Sequence, residues 1–485
     1  MKDSKDDKDL TKGISVKKAD DTSEWYNQVV LKAELADFSA VKGCIVLRPW
    51  GYQIWEAIQW QFDQVIKAHG VKNAYFPLLI PESFLKREAS HVAGFAPEVA
   101  WVTHAGDNEL EERYAVRPTS ETVMCESFSQ WIRSHRDLPL LINQWCNVMR
   151  WETKATRPFL RSREFLWQEG HCLYETKEEC VADTMYYLGE YKKLAEEFLA
   201  IAVLTGRKTK AETFAGAEWS STIEGFMPDG KALKMGTSHF LGQHFIKAFN
   251  IQYLGEDEQQ HYPFHNSWGI STRLIGALVM AHSDDHGFVL PPRVAHHKVV
   301  IVPIIFEKTK ESTLDASRKV RDLLHPLHPL LDERDEVSAG WKFNCWELRC
   351  VPLRLEIGPR DVESGSVVVV RRDNRHKETV ATKDLKKRVP EILEEMQRDL
   401  FMTSKKHLES SIVRVKTFEQ FVEATDHKKI ALAPHCGSAG CEEQLKDKTQ
   451  GVTSRCVPFE GSETSETCIN CSERAMYLVY FARSY

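Results

Sequence analysis

Residues 143–171 read NQWCNVMRWETKATRPFLRSREFLWQEGH, and this stretch decides how the rest of the chain is read. Arg150, Glu152, Arg157, Arg161, Arg163, Glu164, Glu169 and His171 are interleaved with Trp145, Trp151, Phe159, Phe165 and Trp167. That mixture follows neither the period of a plain amphipathic helix nor that of a plain strand. It fits a strand–loop–strand hairpin. On one reading the charges form a salt-bridged face; on the other the guanidinium groups grip something polyanionic. Arginine suits the second task, because its planar fork gives phosphate or carboxylate two hydrogen bonds at once.

Outward from the hairpin, the pattern is that of an ordinary globular chain. Of the 485 residues, 42% are hydrophobic and 28% charged, enough for about two or three domains with real cores. The net charge of −6 argues against binding nucleic acid by bulk electrostatics. It leaves room for local basic patches such as Lys386–Arg388 or Lys405–Lys406. No apolar run approaches the roughly 18–20 residues of a membrane span, and the start lacks the apolar core of a signal peptide. The expected location is therefore the cytoplasm, with MKDSKDDKDLTKG opening a disordered lead-in over residues 1–20.

Tyr52–His69 places Trp55, Ile58, Phe62, Val65 and Ile66 at helical spacing, and Gly70 ends that helix. An apolar strand is expected over Ala74–Ile80, with Pro77 marking an edge or interruption. Lys177–Val203 reads as a helix or helical pair, and strands surround Gly236 and Ser267. A helix follows over Ile270–His282, with Arg273 near its start. Paired prolines at Leu290–Arg293 close this first unit. Strands at Lys298–Ile305, Val351–Ile357 and Val367–Arg371 then alternate with helices near Leu314–Leu324 and from Asp384 towards Phe401, the pattern of a small α/β domain.

Of twelve cysteines, eight are dispersed and read as small core residues. Cys436-x₄-Cys441 and Cys468-x₂-Cys471 have the spacing of a tetrahedral zinc site, four unpaired thiols being the alternative. Four thiolates leave no open position, so such a metal is structural.

Arg150-x-Glu152, a variable loop, then Arg161 and the strand Phe165–His171 (FLWQEGH) resemble motif 2 of the class II aminoacyl-tRNA synthetases. With RPTSE at Arg117–Glu121, the chain resembles prolyl-tRNA synthetases of the eukaryotic and archaeal type from about Ala36 to Tyr485. The resemblance implies an α/β multidomain fold: an antiparallel-sheet class II catalytic domain over 21–295, an α/β anticodon-binding domain over 296–403, and a small α/β zinc-binding-like domain over 404–485. It implies ATP-dependent activation of L-proline and transfer to tRNA(Pro), Mg²⁺ at the phosphates, and a homodimer built on the helix and strand around residues 52–80. The 64 residues between His171 and Gly236 leave no space for the large editing insertion of bacterial prolyl enzymes.

The resemblance also assigns residues. Thr119, Glu121, Arg150, Trp167, Glu169, His171, Phe95, Phe214 and His239 surround proline. Arg150, Glu152, Arg161, Ser162, Lys234, Thr237, Ser271 and Arg273 meet ATP, with Arg150 and Arg273 catalytic. Lys234 departs from the glutamine common in the family. Lys342, Glu347, Glu356, Arg360 and Asp361 are candidates to read the anticodon or to hold the fold, Cys436, Cys441, Cys468 and Cys471 hold zinc, and Tyr485 turns towards the active site. A proline carboxylate is already ionised at neutral pH, so activation needs alignment and charge neutralisation rather than a general base. A small pocket discriminates weakly against alanine or cysteine. A threonine-specific relative and an inert binding protein are the competing readings; the latter should have lost arginines of motifs 2 or 3.

Overall fold

The computed structural model describes residues 13–91, 98–151 and 156–485. Its centre is an eleven-stranded sheet among these residues. Leu140–Met149 and Glu164–Tyr174 pair antiparallel along their length, from Leu140 opposite Leu173 to Met149 opposite Glu164, so the expected hairpin forms. Phe264–Ser271 pairs with Glu164–Tyr174, Lys231–Gly242 with Phe264–Ser271, and Trp219–Phe226 with Lys231–Gly242, all antiparallel. Val203–Arg207 continues the sheet.

The sheet does not stop there. Thr453–Pro458 pairs with Val203–Arg207, and Tyr477–Ser484 pairs with Thr453–Pro458, so a strand some 250 residues further along the chain carries the same hydrogen-bond ladder onward (457 − 207 = 250). Tyr477–Ser484 also touches Lys231–Gly242 directly, in parallel at Lys231 and Ala232. The C-terminal unit is thus woven into the central sheet.

One face of the sheet is covered by apolar helices. Pro49–Ala68 buries Ile54, Trp55, Ile58, Phe62 and Ile66 on one stripe, and Lys177–Lys193 buries Tyr187 and Tyr191 against Trp268. Tyr187 and Trp268 stack with ring centroids 3.6 Å apart. Gly170 explains how Trp268 fits: a Cβ at that position would lie 2.1 Å from the indole. The glycine of QEGH is therefore a packing requirement.

Residues 299–381 form a separate five-stranded mixed sheet with its own core of Val299, Ile301, Leu353, Leu355 and Val369. Val299–Pro303 pairs parallel with Leu353–Ile357, and Ser366–Arg371 then pairs antiparallel. Helix Leu385–Ser411 leaves this unit and runs unbroken past residue 403 into the C-terminal one.

Three local expectations change. Ala74–Ile80 is not one strand: Lys72–Asn73 and Leu79–Pro81 are short strands joined by extended chain. Pro77 has no N–H to give a ladder, and Phe76 spends its N–H on the Gln144 side-chain oxygen at 2.5 Å. Residues 13–20 are ordered by contacts: Lys18 Nζ donates to the carbonyls of Met280 and Ser283 at 2.8 and 3.3 Å, and Ile14 and Val16 pack on the core. The helix over Ile270–His282 begins at Arg273, because Phe264–Ser271 is still strand.

Candidate active site

The uncovered face of the central sheet forms the floor of a cavity of about 200 Å³. Side chains two apart along a strand share a face, which is why Trp167, Glu169 and His171 point together into it. Their cross-strand partners are Ser271, Gly269 and Ser267, and beyond those lie Thr237 and His239. The sequence QEGH becomes a site through this alternation.

Thr119 and Glu121 reach the cavity from the start of helix Glu121–Trp131. The arginine of RPTSE does not. Arg117 is fully buried and donates to the Phe76 carbonyl at 2.7 Å and to the Asn147 carbonyl at 2.8 Å. It pins the loop that carries Thr119 and Glu121 to the hairpin. Arg150 adds a second tie, its Nε donating to the Pro118 carbonyl at 3.0 Å, while its guanidinium lies 5.5 Å from the Trp167 ring.

At this end of the cavity the acids are held ready. Glu121 accepts a hydrogen bond from the Thr119 hydroxyl. Glu169 is buried, which by itself would raise its pKa, but hydrogen bonds from His171, Ser120 and Gln144 keep the carboxyl below its ordinary value. Phe214 and His239 form the opposite wall with ring centroids 5.0 Å apart. Burial, then the Lys234 charge, pushes His239 down to about 3, so this imidazole is neutral across the physiological range. Its ring nitrogens meet Ser220 Oγ at 2.7 Å and Thr237 Oγ1 at 3.0 Å.

The other end is cationic. Arg273 lines it, lowered to about 10 by burial and by the neighbouring Arg150. Lys234 opens onto the cavity; the surrounding protein and then the charges of Lys208 and Arg273 bring it down to about 7. Positive groups crowded in this way mark a place for a polyanion.

The structure therefore gathers Thr119, Glu121, Arg150, Trp167, Glu169, His171, Phe214, Lys234, Thr237, His239, Ser271 and Arg273 around one space. Phe95 and Glu152 lie outside the described residues. Arg161 and Ser162 sit on the hairpin loop rather than in the wall: Arg161 is exposed, and Ser162 is buried. Tyr485 is also away from the wall; its ring packs near Lys231, with the Nζ 5.4 Å from the ring centroid. Lys208, Glu212 and Ser220 are wall residues that sequence reading missed. Lys208 follows a short strand with no local signature to mark it, and only the sheet register brings it in.

The anticodon-reading candidates divide. Lys342 is buried with its ammonium on the Asp332 carbonyl at 3.1 Å. Glu347 and Glu356 both pair with Arg354, at 2.8 and 3.0 Å. Asp361 accepts from the Gly358 N–H at 2.8 Å, capping helix Pro359–Ser364. Those four serve internal contacts, while Arg360 is exposed. The C-terminal cysteines converge: Cys441 and Cys468 sulfurs are 3.7 Å apart, and those of Cys436 and Cys471 are 3.6 Å apart. His435, not expected from the spacing, joins Cys436, Cys441 and Cys468 in one cluster with potential ligand atoms within 4.8 Å.

Comparison with known proteins agrees with this geometry. Residues 101–282 match the tRNA synthetase class II core domain (G, H, P, S and T), residues 298–392 the anticodon binding domain, and residues 418–485 the prolyl-tRNA synthetase C-terminal domain. Proline–tRNA ligase of Alkaliphilus oremlandii is 50% identical over 467 residues, 96% of each chain. Proline–tRNA ligase 2 of Clostridioides difficile is 47% identical over 486 residues, 99% of this chain and 100% of the other. The crystal structure of prolyl-tRNA synthetase from Cryptosporidium parvum complexed with halofuginone and AMPPNP superposes with a TM-score of 0.94 at 42% identity, covering 98% of this chain and 99% of that one. With its class II sheet, its cationic cavity and near-complete coverage of these relatives, the chain belongs to the proline–tRNA ligase family of class II aminoacyl-tRNA synthetases.

Proposed function

We propose that the chain activates L-proline with ATP and transfers the prolyl group to tRNA(Pro). The observation that carries this reading is the division of one cavity into an acidic, aromatic-walled end and a cationic end. A second C. parvum structure, complexed with L-proline and AMP, superposes at a TM-score of 0.92.

Proline's ring fits between Phe214, His239 and Trp167, and Glu121 receives its secondary ammonium, with Thr119 beside it. Neutral His239 adds no charge that would repel that ammonium. Arg150, between the two ends, bridges the proline carboxylate and the α-phosphate, and holds attacking oxygen and phosphorus in line. Arg273 and Lys234 neutralise the phosphate chain as pyrophosphate leaves. Thr237 and Ser271 flank the nucleotide, Arg161 and Ser162 serve the phosphates from the hairpin loop, and Glu152 is our assignment for the adenine amino group or for orienting that loop. Glu212, exposed at the cavity wall, is the carboxylate that would hold Mg²⁺, which would supply charge neutralisation to the phosphates beside Arg273 and Lys234. Arg360 is our candidate for anticodon contact, and we place the domain divisions near residues 295 and 403, with residues 13–20 joined to the catalytic unit.

We assign the eukaryotic and archaeal type as an architecture that bacteria also carry. Between His171 and Gly236 the chain is used up by helix Lys177–Lys193 and two strands of the central sheet, and a C-terminal domain follows the anticodon-binding one. Among the described residues no helix is long and apolar enough to cross a membrane, and no two cysteines are joined in a disulfide, which suits a reducing cytoplasm.

Structural zinc fits the cysteine cluster. Tetrahedral thiolates at about 2.3 Å from zinc stand roughly 3.8 Å apart, close to the 3.6 and 3.7 Å seen here. A homodimer fits the helix Pro49–Ala68 and the chain after it, which leave Trp60 and Tyr75 exposed. Metal analysis and sedimentation of one preparation are expected to return about one zinc per chain and a dimer. A metal-free chain, or a monomer at micromolar concentration, would remove the corresponding assignment.

The reaction is tested by amino-acid-dependent ATP–pyrophosphate exchange. Proline is expected to support strong exchange, alanine and cysteine weak exchange, and threonine none. Strong exchange with threonine alone, or none with any amino acid from a folded, magnesium-supplied sample, would overturn the reading.

A further inference from the structure

Lys208 stands in the cavity wall, yet what holds it comes from far along the chain. Its ammonium donates to Glu224 Oε1 at 2.8 Å and to the carbonyl of Arg455 at 2.8 Å. Arg455 lies on strand Thr453–Pro458 of the C-terminal unit, and its guanidinium grips Glu224 Oε2 at 2.8 and 3.2 Å. Lys208, Glu224 and Arg455 are all buried.

The next residue repeats the arrangement. Thr209 Oγ1 donates to Glu442 Oε1 at 3.0 Å and lies 3.1 Å from Ser454 Oγ, both on the C-terminal unit. Thr213 Oγ1 then donates back to the Thr209 carbonyl at 2.9 Å. Glu212 and Phe214, on either side of Thr213, line the cavity. The whole wall segment 208–214 is thus bolted to the C-terminal unit by buried polar contacts.

An ammonium has three protons, and two of those on Lys208 are directed to Glu224 and Arg455. Glu224 answers both Lys208 and Arg455 directly and Glu212 lines the same wall, while Lys234, Arg273 and the nearby Arg150 add further positive charge. The local excess of cations calls for an anionic ligand, and Lys208 has a donor left for it.

We propose that the C-terminal unit completes the nucleotide site: Lys208 contacts the triphosphate of ATP, and Arg455 is the positioning residue that holds the Lys208 ammonium in the cavity. The proposal rests on the activation reaction argued above. It gives the C-terminal unit a part in the first chemical step, with Glu442 fixing the adjoining backbone through Thr209.

The experiment measures ATP and proline dependence of pyrophosphate exchange, and equilibrium binding of ATP, for the full chain and for Lys208→Met, Arg455→Met and Arg455→Lys. Loss of one charge-assisted hydrogen bond should raise KM for ATP about tenfold or more in Lys208→Met, with KM for proline moved less than about twofold. Arg455→Met should reproduce that ATP-side signature, and Arg455→Lys should recover most of it. ATP binding that is unchanged in both Met variants would overturn the proposal, as would equal shifts in the two KM values. Absence of exchange in the unaltered chain would instead overturn the underlying reaction, while the ATP-binding comparison still tests the Lys208 contact.

Discussion

Arg150→Ala is expected to lower proline-dependent pyrophosphate exchange by about 10³-fold, the scale seen when one donor to a developing charge is removed from an active site. The loss should fall mainly on kcat. In the proposed reaction Arg150 bridges carboxylate and α-phosphate, both anionic, so its charge should count most as the new bond forms. The fold should persist, because the neighbouring Arg117 carries the main attachment of the substrate loop through its contacts to Phe76 and Asn147. Exchange within about tenfold of the unaltered chain, at normal KM values, would remove Arg150 from the reaction.

The second large effect is on stability. Glu224→Ala should destabilise the chain by about 3–5 kcal/mol, because it leaves Lys208 and Arg455 buried without their shared carboxylate. Glu224 lies inside the protein, which opposes ionisation, yet the two cations prevail and hold its pKa at about 2. That is below the value of about 4.3 for a free glutamate. The stabilisation is therefore fully present above the free value and is lost as pH falls from there towards 2. Unfolding midpoints measured against pH should show the unaltered chain losing more stability across this acid range than Glu224→Gln. Parallel curves, or a Glu224→Ala midpoint within a degree of the unaltered one at neutral pH, would count against the ion triad.

The sequence made some of this visible and hid the rest for physical reasons. Residues that act from one strand were legible: Trp167, Glu169 and His171 are two apart, and alternation alone turns them to one side. Arg117 shows the limit. RPTSE marks a loop that lines the cavity, but whether its arginine faces that cavity or the backbone depends on the distance to Asn147, which no local pattern encodes. Lys208 and Arg455 lay further out of reach, since their partnership depends on a strand pairing across some 250 residues (457 − 207 = 250). The cysteine spacing did predict convergence, whereas His435 lies outside that spacing and joins the cluster from the end of strand Ile430–His435. Pro77 signals an edge or an interruption, and the structure has the interruption; the expected strand around it is too long because apolar residues such as Phe76 also line a core in extended chain.

The shared sheet has a consequence for how the molecule is made. Val203–Arg207 cannot finish its ladder until Thr453–Pro458 has been synthesised, and Tyr477–Ser484 must follow to pair with Thr453–Pro458 on its other side. On the ribosome the catalytic sheet therefore waits with one unpaired edge while the anticodon-binding unit, whose contacts are closer in sequence, has everything it needs to fold. An open strand edge invites pairing with other chains. Nascent chains of this protein should thus depend on protection during the later half of translation, and synonymous changes that slow elongation between residues 210 and 450 should lower soluble yield more than equal delays placed earlier.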